Sequence, residues 1–308
     1  MLCCTAWLCS GCGSTTLAER EIIRAVMFAR EETTCQALLL TADKESQEGK
    51  VGYQTTLGEA DTFAKALYAA ENQLKGTPFY GLMDQALLPG DADWETVQEI
   101  GLLLYDKAQP APEIAVLLWQ RAEQETPELS AQATYEAIRS ASEASTVHCG
   151  LQMLFAQNDQ CAVPVWQQGS YGWAALKQGE LPLRYEPGLQ AQLGLLLSGQ
   201  SHKLQAEFAD GNAACKAQAM VQPCVTETEM QLQLNLNHLE LTDLTGQEQE
   251  QERLQHVLEA ELHRAMQQLD QQLREQQQDP FRLAFWQQVT TGETTASKPV
   301  TLQIQGKA

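Results

Sequence analysis

The sequence predicts an α+β protein in which a long C-terminal helix lies on a sheet. The stretch MQLQLNLNHLEL places apolar residues on one face and glutamines and asparagines on the other. Its apolar face consists of Met230, Leu232, Leu234 and Leu236. A period of two is typical of a strand with one buried face. A helical pattern follows and ends near Gln278, because Pro280 disfavours helical geometry at Asp279.

A stripe of apolar residues predicts the long helix. The stripe consists of Leu254, Val257, Leu258, Leu262, Met266, Leu269 and Leu273. Its mean step is nearer the helical repeat of ~3.6 residues than the ~3.5 of a coiled coil. A capping box at Thr245 and Glu248 indicates the start of the helix. We interpret it as a helix packed on a sheet, with a self-associating coiled coil as the alternative.

The N-terminal half alternates between strand and helix patterns. The predicted elements are strands at 35–41 and 114–119 and helices at 56–74, 94–104 and 125–145. The first of these helices is predicted from a second capping box, Thr56 and Glu59, and from Gly76 after its end. This βαβαβα-like order indicates a mixed α/β unit.

The pattern changes at Val147, where short strands replace long helices. Strands at 151–156 and 161–166 are expected to pair as a hairpin about Asn158 and Asp159. A helix is predicted at 190–197, and strands at 199–208 and 213–221. The expected organisation is three small mixed-sheet domains with flanking helices. Its divisions are a signal and linker at 1–18, a domain at 19–146, a C-terminal region at 147–289 with subdomains of about 147–185 and 186–289, and a flexible tail at 290–308.

The charge balance excludes two classes of partner. The chain carries 20 basic and 40 acidic residues, a formal net charge of −20. Nucleic-acid binding depends on basic patches that neutralise phosphates, and adsorption on anionic lipid depends on a basic surface. We therefore expect neither. No apolar run approaches the ~20 residues of a transmembrane helix.

The chain contains nine dispersed cysteines. For Cys215 and Cys224 two alternatives are open, a disulfide or two separate thiols.

The first dozen residues resemble a lipid-attachment signal. A short apolar segment ends in Ser10-Gly11-Cys12, which is similar to a bacterial lipobox in which Cys12 is lipidated on sulfur. A diacylglycerol thioether supplies two chains, enough for stable anchorage, whereas a single chain is marginal. The alternatives are a frayed cysteine-rich N-terminus and a zinc knuckle at Cys9 and Cys12, which lacks a second ligand pair.

No motif in the sequence predicts catalysis, a cofactor or a metal. The patterns G-x-S-x-G, Walker A, H-E-x-x-H and the Rossmann glycines are all missing. His148 and Cys149 are neighbours on an expected strand and so point to opposite faces. A solvated face of the long helix explains His256, Glu259 and His263. The expected packing anchors are Trp166, Trp173 and Trp286.

Four segments, in their order along the chain, carry a family resemblance. They are Ser10-Gly11-Cys12 with Glu19-Arg20-Glu21-Ile22, the stretch Phe63 to Leu88 with Gly81 inside it, Gly172-Trp173 and Leu176 with Gly194–Gly199, and the closing strand and helix with Gln277-x-Asp279-x-Phe281. Together they resemble the Ger(x)C family, the lipoprotein C subunit of bacterial spore germinant receptors.

The resemblance implies a non-enzymatic subunit of three α+β domains without a cofactor. It implies a lipid anchor at Cys12 on the outer face of the spore inner membrane. There the subunit would act in nutrient-triggered germination beside two multi-pass membrane partners, an A subunit and a transporter-like B subunit. The alternatives are a lipid-anchored solute-binding or envelope-assembly lipoprotein, and a secreted hydrolase that uses Cys149 or Cys161.

Overall fold

The computed structural model describes residues 19–43, 52–107, 114–120, 127–225, 230–245, 251–292 and 300–306. Within these ranges the chain forms six α-helices and thirteen strands in two mixed sheets. This confirms the predicted α+β class. None of the helices in the described ranges combines the length and the apolar composition needed to cross a bilayer.

The larger sheet contains nine strands. They are β1 (Arg20–Glu31), β2 (Thr34–Ala42), β3 (Tyr53–Ala60), β4 (Thr77–Phe79), β5 (Gln85–Pro89), β6 (Ala115–Trp119), β7 (Gln160–Gln167), β8 (Ser170–Lys177) and β9 (Leu183–Tyr185). Their order is β3-β2-β1-β5-β6-β7-β8-β9, and β4 pairs with the start of β1. The central strands β1, β5, β6 and β7 are parallel. Buried parallel strands require continuous apolar runs, which AVLLW of β6 illustrates.

The parallel strands all begin at one edge of this sheet, which we call the leading edge. In register, Ala25 of β1 lies opposite Gln85 of β5, and Gln85 lies opposite Ala115 of β6. The segment before β7 also reaches this edge, where Gly150 forms a bridge with Ala115. Strand β8 is antiparallel to β7, so it ends at the leading edge with Lys177 opposite Gln160.

The smaller sheet and the helices cover the faces of the larger one. The smaller sheet has the order β10 (Lys203–Phe208), β11 (Ala213–Val225), β12 (Met230–Asp243) and β13 (Val300–Gly306). The helices are α1 (Phe63–Glu71), α2 (Trp94–Lys107), α3 (Pro127–Ser145), α4 (Leu189–Leu197), α5 (Gln251–Glu275) and α6 (Leu283–Thr291).

Alternate residues of β1 face two separate cores. Val26 and Phe28 lie in a core with α1 and α2. Ala25 and Met27 lie in a second core, which also contains buried residues of α3, α4, α5 and the smaller sheet. The period of two in the strand thus places helices on both faces of the larger sheet.

The long helix α5 packs on the smaller sheet, as the apolar stripe predicts. Six of the seven stripe residues are buried in the same core as the apolar face of β12, and Val257 is partly buried against it. The smaller sheet therefore covers the apolar stripe of α5, which the coiled-coil alternative would have packed against a second chain. Thr245 donates its backbone amide to Asp243 Oδ1 at 2.8 Å, and Glu248 of the expected capping box lies outside the described residues.

The capping box expected at Thr56 and Glu59 is wrong. Residues 53–60 form strand β3, which pairs along its length with β2. The helix begins at Phe63, and Thr62 is its N-cap, with the hydroxyl accepting a bond from the Lys65 amide at 3.3 Å. Pairing with β2 outweighs the local helix signal. Helix α1 crosses β3 at Gly58, where a Cβ would lie 2.1 Å from the Ala66 carbonyl oxygen.

The strand expected at 151–156 is also wrong. Leu151–Phe155 is a 3₁₀ helix, and Leu151 and Leu154 are its buried residues. A short apolar run fits either a strand or a helix, so periodicity could not decide here. The hairpin therefore forms between β7 and β8, around Gln168 and Gly169, both with positive φ.

The C-terminal tail, expected to be flexible, contains strand β13. It runs parallel to β12, with Met230 opposite Val300 and Leu232 opposite Leu302, and both β13 residues are buried. In the alternating sequence VTLQIQ the apolar residues share one face, and the backbone of the strand pairs with the edge of β12. The larger sheet also continues across the expected boundary at 146/147 because β6 pairs with β7. The division into domains stays a prediction.

We predict that Leu302→Ala lowers the free energy of unfolding by about 2 kcal/mol, because it removes buried methyl groups between β13 and α5. Gln303→Ala, on the exposed face of the same strand, should change it by less than about 0.5 kcal/mol. Urea unfolding followed by circular dichroism measures both. Equal effects of the two substitutions would contradict a packed β13.

Candidate functional site

Cys12, the expected lipidation site, lies outside the described residues. Cys215 and Cys224 are free thiols on the same strand, β11. Eight residues of extended chain lie between them and place them roughly 30 Å apart, far more than a disulfide spans. Cys215 is buried and Cys224 is exposed. Of the two alternatives, the structure has the separate thiols.

The thiols considered for a hydrolase are buried in the core. His148 is exposed and Cys149 is fully buried, so the two do point apart. Burial raises the pKa of the Cys149 thiol, the nearby Cys161 adds to this, and a hydrogen bond from Gln200 at 3.5 Å opposes it. Burial also raises the pKa of Cys161 to about 12. A protonated buried thiol is a poor nucleophile, which disfavours the hydrolase alternative.

The imidazoles of the long helix do not form a ligand cluster. His256 and His263 are exposed on α5, and Glu259 accepts a hydrogen bond from Gln255 at 2.9 Å. Within the described ranges, no group of three or more histidine, cysteine, aspartate or glutamate residues is arranged to hold a metal ion. The solvated-face interpretation explains these positions.

Two of the three expected tryptophan anchors are buried. Trp166 and Trp173 lie in the core, but Trp286 is 45% exposed. Helix α6 buries Gln287 instead, and this turns Phe285 and Trp286 outward. The expectation for Trp286 is therefore wrong, because the orientation of α6 rather than residue type decides its burial.

Trp173 is the centre of a packed aromatic cluster, which we call the Trp173 junction and which comprises Trp173, Tyr185, Gly194 and Phe281. The indole stacks on Phe281, with ring centroids 5.3 Å apart and an interplanar angle of 22°. Tyr185 packs on it with a centroid distance of 5.5 Å. A Cβ at Gly194 would lie 2.4 Å from Trp173 Cδ2, so the helix backbone lies directly against the ring.

The junction joins two of the segments that carry the family resemblance. Gly172 and Trp173 belong to β8, Gly194 to α4, and Phe281 to the loop between α5 and α6. The backbone of Gly172 also lies close to that of Tyr185, because a Cβ at position 172 would lie 2.5 Å from the Tyr185 carbonyl oxygen. Both glycines are thus required by packing against neighbouring atoms.

Asp279 caps helix α6. Its Oδ1 accepts the amide of Leu283 at 2.7 Å, and its Oδ2 accepts the amide of Ala284 at 2.8 Å. These bonds satisfy two amides that have no partner within the helix. Burial raises the pKa of Asp279, while the hydrogen bonds from Ala284 and Leu283 oppose that shift.

The loop that carries Asp279 is bound to the leading edge of the larger sheet. The backbone amide of Asp279 donates to Gln160 Oε1 at 2.8 Å, and the side chain of Gln157 donates to the carbonyls of Asp279 and Pro280. Lys177 Nζ donates to the Gln277 carbonyl at 2.8 Å. The Gln277-x-Asp279-x-Phe281 segment therefore joins α5 and α6 to the larger sheet.

A polar cluster at the leading edge was not anticipated from the sequence. Arg24 and Asp84 form an ion pair with Nη2 and Oδ2 2.5 Å apart, and the Tyr135 hydroxyl donates to the same oxygen at 2.9 Å. Burial raises the pKa of Tyr135 to about 12, against a hydrogen bond from Arg24. The three residues tie β1, the start of β5 and α3 together. No sequence signal could reveal them, because they meet only through tertiary contacts.

The geometry can be set beside that of known proteins. The chain is similar to the crystal structure of the GerBC protein. The two chains are 14% identical, the TM-score is 0.41, and the match covers 91% of this chain and 97% of that chain. No protein-family model matches this sequence, and no curated protein matches it.

We predict that Gly194→Ala destabilises the protein by about 1–3 kcal/mol, since the added methyl group overpacks the indole of Trp173. The gain in helix propensity of about 1 kcal/mol offsets only part of this loss. A double-mutant cycle with Trp173→Leu in urea unfolding separates the two effects. Strictly additive losses would contradict the contact.

Asp279 should make stability depend on acid pH. Its pKa in the folded protein lies above its ordinary value of 3.8, so between the two pKa values the folded state binds the proton more tightly. In that window, stability falls as pH rises. We predict that the wild type loses free energy of unfolding relative to Asp279→Asn as pH rises from 3.8 through the folded pKa, and is constant above it. Urea unfolding at a series of pH values measures this, and a wild type that gains stability relative to Asp279→Asn as pH rises would contradict the prediction.

Proposed function

We propose that this chain is a non-enzymatic lipoprotein subunit of a spore germinant receptor, acting in nutrient-triggered germination beside two multi-pass membrane subunits. One observation carries the proposal. Two of the segments that resemble the Ger(x)C family are separate in sequence, one with Trp173 and Gly194 and one with Phe281, yet these three residues meet in one cluster. Residues that determine how a fold packs are the ones whose pattern a divergent member of a family would retain.

The role that we propose is that of a scaffold. The Trp173 junction and the bonds around Asp279 hold the smaller sheet, α5 and α6 on the larger sheet. A scaffold needs its surfaces in a constant relative position, and buried packing of this kind provides it. Recognition of the A and B subunits would then depend on exposed surfaces rather than on a reactive side chain.

The attachment that we propose is a lipid on Cys12. Seven residues, 13–19, lie between Cys12 and Arg20, where β1 begins. An extended chain from Cys12 to Arg20 spans about 28 Å, so a lipid on Cys12 would keep the leading edge close to the bilayer. Two acyl chains at one cysteine give stable anchorage. The proposed location is the outer face of the spore inner membrane.

We predict that Cys12→Ala abolishes incorporation of labelled fatty acid, releases the protein from spore membranes and impairs nutrient-triggered germination. Cys9→Ala is the matched control, because it removes a neighbouring thiol and keeps the residue that carries the lipid. Membrane fractionation, lipid labelling and germination assays measure the three effects. Unchanged membrane association and germination in Cys12→Ala would contradict the anchored scaffold.

Partner identity is tested by purifying the tagged chain from detergent-solubilised spore membranes and identifying the co-purified proteins by mass spectrometry. We expect two multi-pass membrane proteins in the wild type. Recovery with a transporter permease and an ATPase, or from vegetative envelopes alone, would overturn the proposal in favour of a solute-binding or envelope-assembly lipoprotein.

A further inference from the structure

Helix α6 presents large apolar side chains to solvent. Phe285 is 54% exposed, Trp286 45% and Val289 62%, and the spacing of three and four residues places them on one face. Leu283–Thr291 contains no acidic or basic residue, in a chain with a net charge of −20. An exposed apolar face of this kind marks an interaction site on a soluble domain.

The apolar surface continues from α6 onto the smaller sheet. A cavity of about 260 Å³ lies between α6 and β11, and Leu283, Trp286, Met220 and Val221 are among its lining residues. Met220 is itself exposed. The exposed apolar surface therefore extends from α6 to Met220, beside Ser201 and His202, which are polar and also line the cavity.

Helix α6 begins at the leading edge of the larger sheet. Arg282, which precedes it, donates from its guanidinium to the Ala156 carbonyl, and the Asp279 amide donates to Gln160 at 2.8 Å. Gln160 is the first residue of β7. The start of α6 is thus fixed where the parallel strands begin.

Two further exposed leucines lie at the same edge. Leu181 is 83% exposed in the loop that follows β8, and β8 ends at the leading edge. Leu82 is exposed two residues before Asp84, whose carbonyl accepts the Ala115 amide at 2.9 Å. Leu181 and Leu82 therefore lie at the same end of the sheet as the start of α6.

The linker from Cys12 enters the sheet at this end too. Arg20 begins β1, which is three strands from β7, a separation of roughly 14 Å at the usual strand spacing. The chain from Cys12 to Arg20 can extend about 28 Å. The bilayer that holds a lipid on Cys12 is therefore within reach of α6.

We propose that α6 is a second membrane contact, in which Phe285, Trp286 and Val289 enter the boundary between lipid headgroups and acyl chains. This inference rests on the proposed lipid anchor at Cys12. Aromatic side chains favour that boundary, and an amphipathic helix can lie in its plane. Because α6 carries no charge, its insertion desolvates no ionised group.

The neighbouring strand edge does not favour a peptide that adds to the sheet. The Ala219 amide donates to the His202 carbonyl, so alternate residues of β11 beyond Ala219 direct their backbone groups to the same side. Pro223 is one of these residues, and proline has no amide hydrogen to donate. A lipid surface requires no such donors.

The test uses the full chain with Cys12→Ala, so that binding cannot depend on the lipid. Phosphatidylcholine vesicles with brominated acyl chains quench tryptophan fluorescence on insertion, and because the chain has six tryptophans, Trp286 is read as the part of the quenching that Trp286→Phe removes. We expect quenching in this protein, and about tenfold weaker vesicle binding when Phe285→Ser and Val289→Ser are added. Leu244→Ser is the matched control, because Leu244 is exposed beside Asn212, at the end of the smaller sheet remote from Met220.

Unaltered urea unfolding of the double substitution shows that any loss of binding is not a folding defect. Absence of quenching, or equal quenching with and without Phe285→Ser and Val289→Ser, would overturn the inference. So would loss of a co-purified multi-pass protein by that variant without any quenching in the parent, which would make α6 a protein contact. Failure of lipid labelling at Cys12 would instead overturn the proposed anchor, and the vesicle assay distinguishes the two because it uses the unlipidated chain.

Discussion

The packing of the Trp173 indole against the backbone of Gly194 sets how the two sheets meet. Helix α4 connects β9 of the larger sheet to β10 of the smaller one, so the distance between α4 and β8 determines where the smaller sheet lies. A side chain at position 194 would push the helix away from the ring. Phe281 then closes the other face of the indole, which brings the end of α5 against the same sheet. One aromatic ring thus joins three segments, and the long helix depends on it for its position.

The leading edge combines the polar contacts with the termini of several elements. Arg24, Asp84 and Tyr135 tie β1, β5 and α3 together there, and Asp279 ties α6 to β7. Each of these side chains makes at least one ion pair or hydrogen bond, which offsets part of the cost of removing it from water, although Arg24 Nε and Asp84 Oδ1 are buried without a partner among the described residues. The same edge receives the linker and carries the exposed leucines. A lipid-anchored scaffold with this arrangement would turn that end toward the bilayer and leave the opposite end of the sheet for soluble partners.

The incorrect sequence-based expectations share one cause. The Thr56 and Glu59 pattern satisfies the rule for a helix start, but pairing with β2 makes those residues a strand. The run at 151–156 is apolar enough for a strand, yet it forms a 3₁₀ helix whose i and i+3 residues are buried. The C-terminal residues alternate like a strand, but an isolated strand is stable only beside a partner, and β12 is 70 residues away from it. Each outcome depends on a neighbour that is distant in sequence.

The α+β class, the alternation of β12 and the apolar stripe of α5 are predictable from the sequence, because they follow from periodicities within a single element. The motifs of the family resemblance also include Trp173, Gly194 and Phe281, but no sequence pattern predicts that these residues are in contact. Three further facts are visible only in the folded chain: Trp173, Gly194 and Phe281 meet, Arg24 pairs with Asp84, and Trp286 faces outward while Gln287 is buried. The physical reason is that these facts depend on which surfaces pack together, and packing is a property of pairs of elements rather than of any one segment.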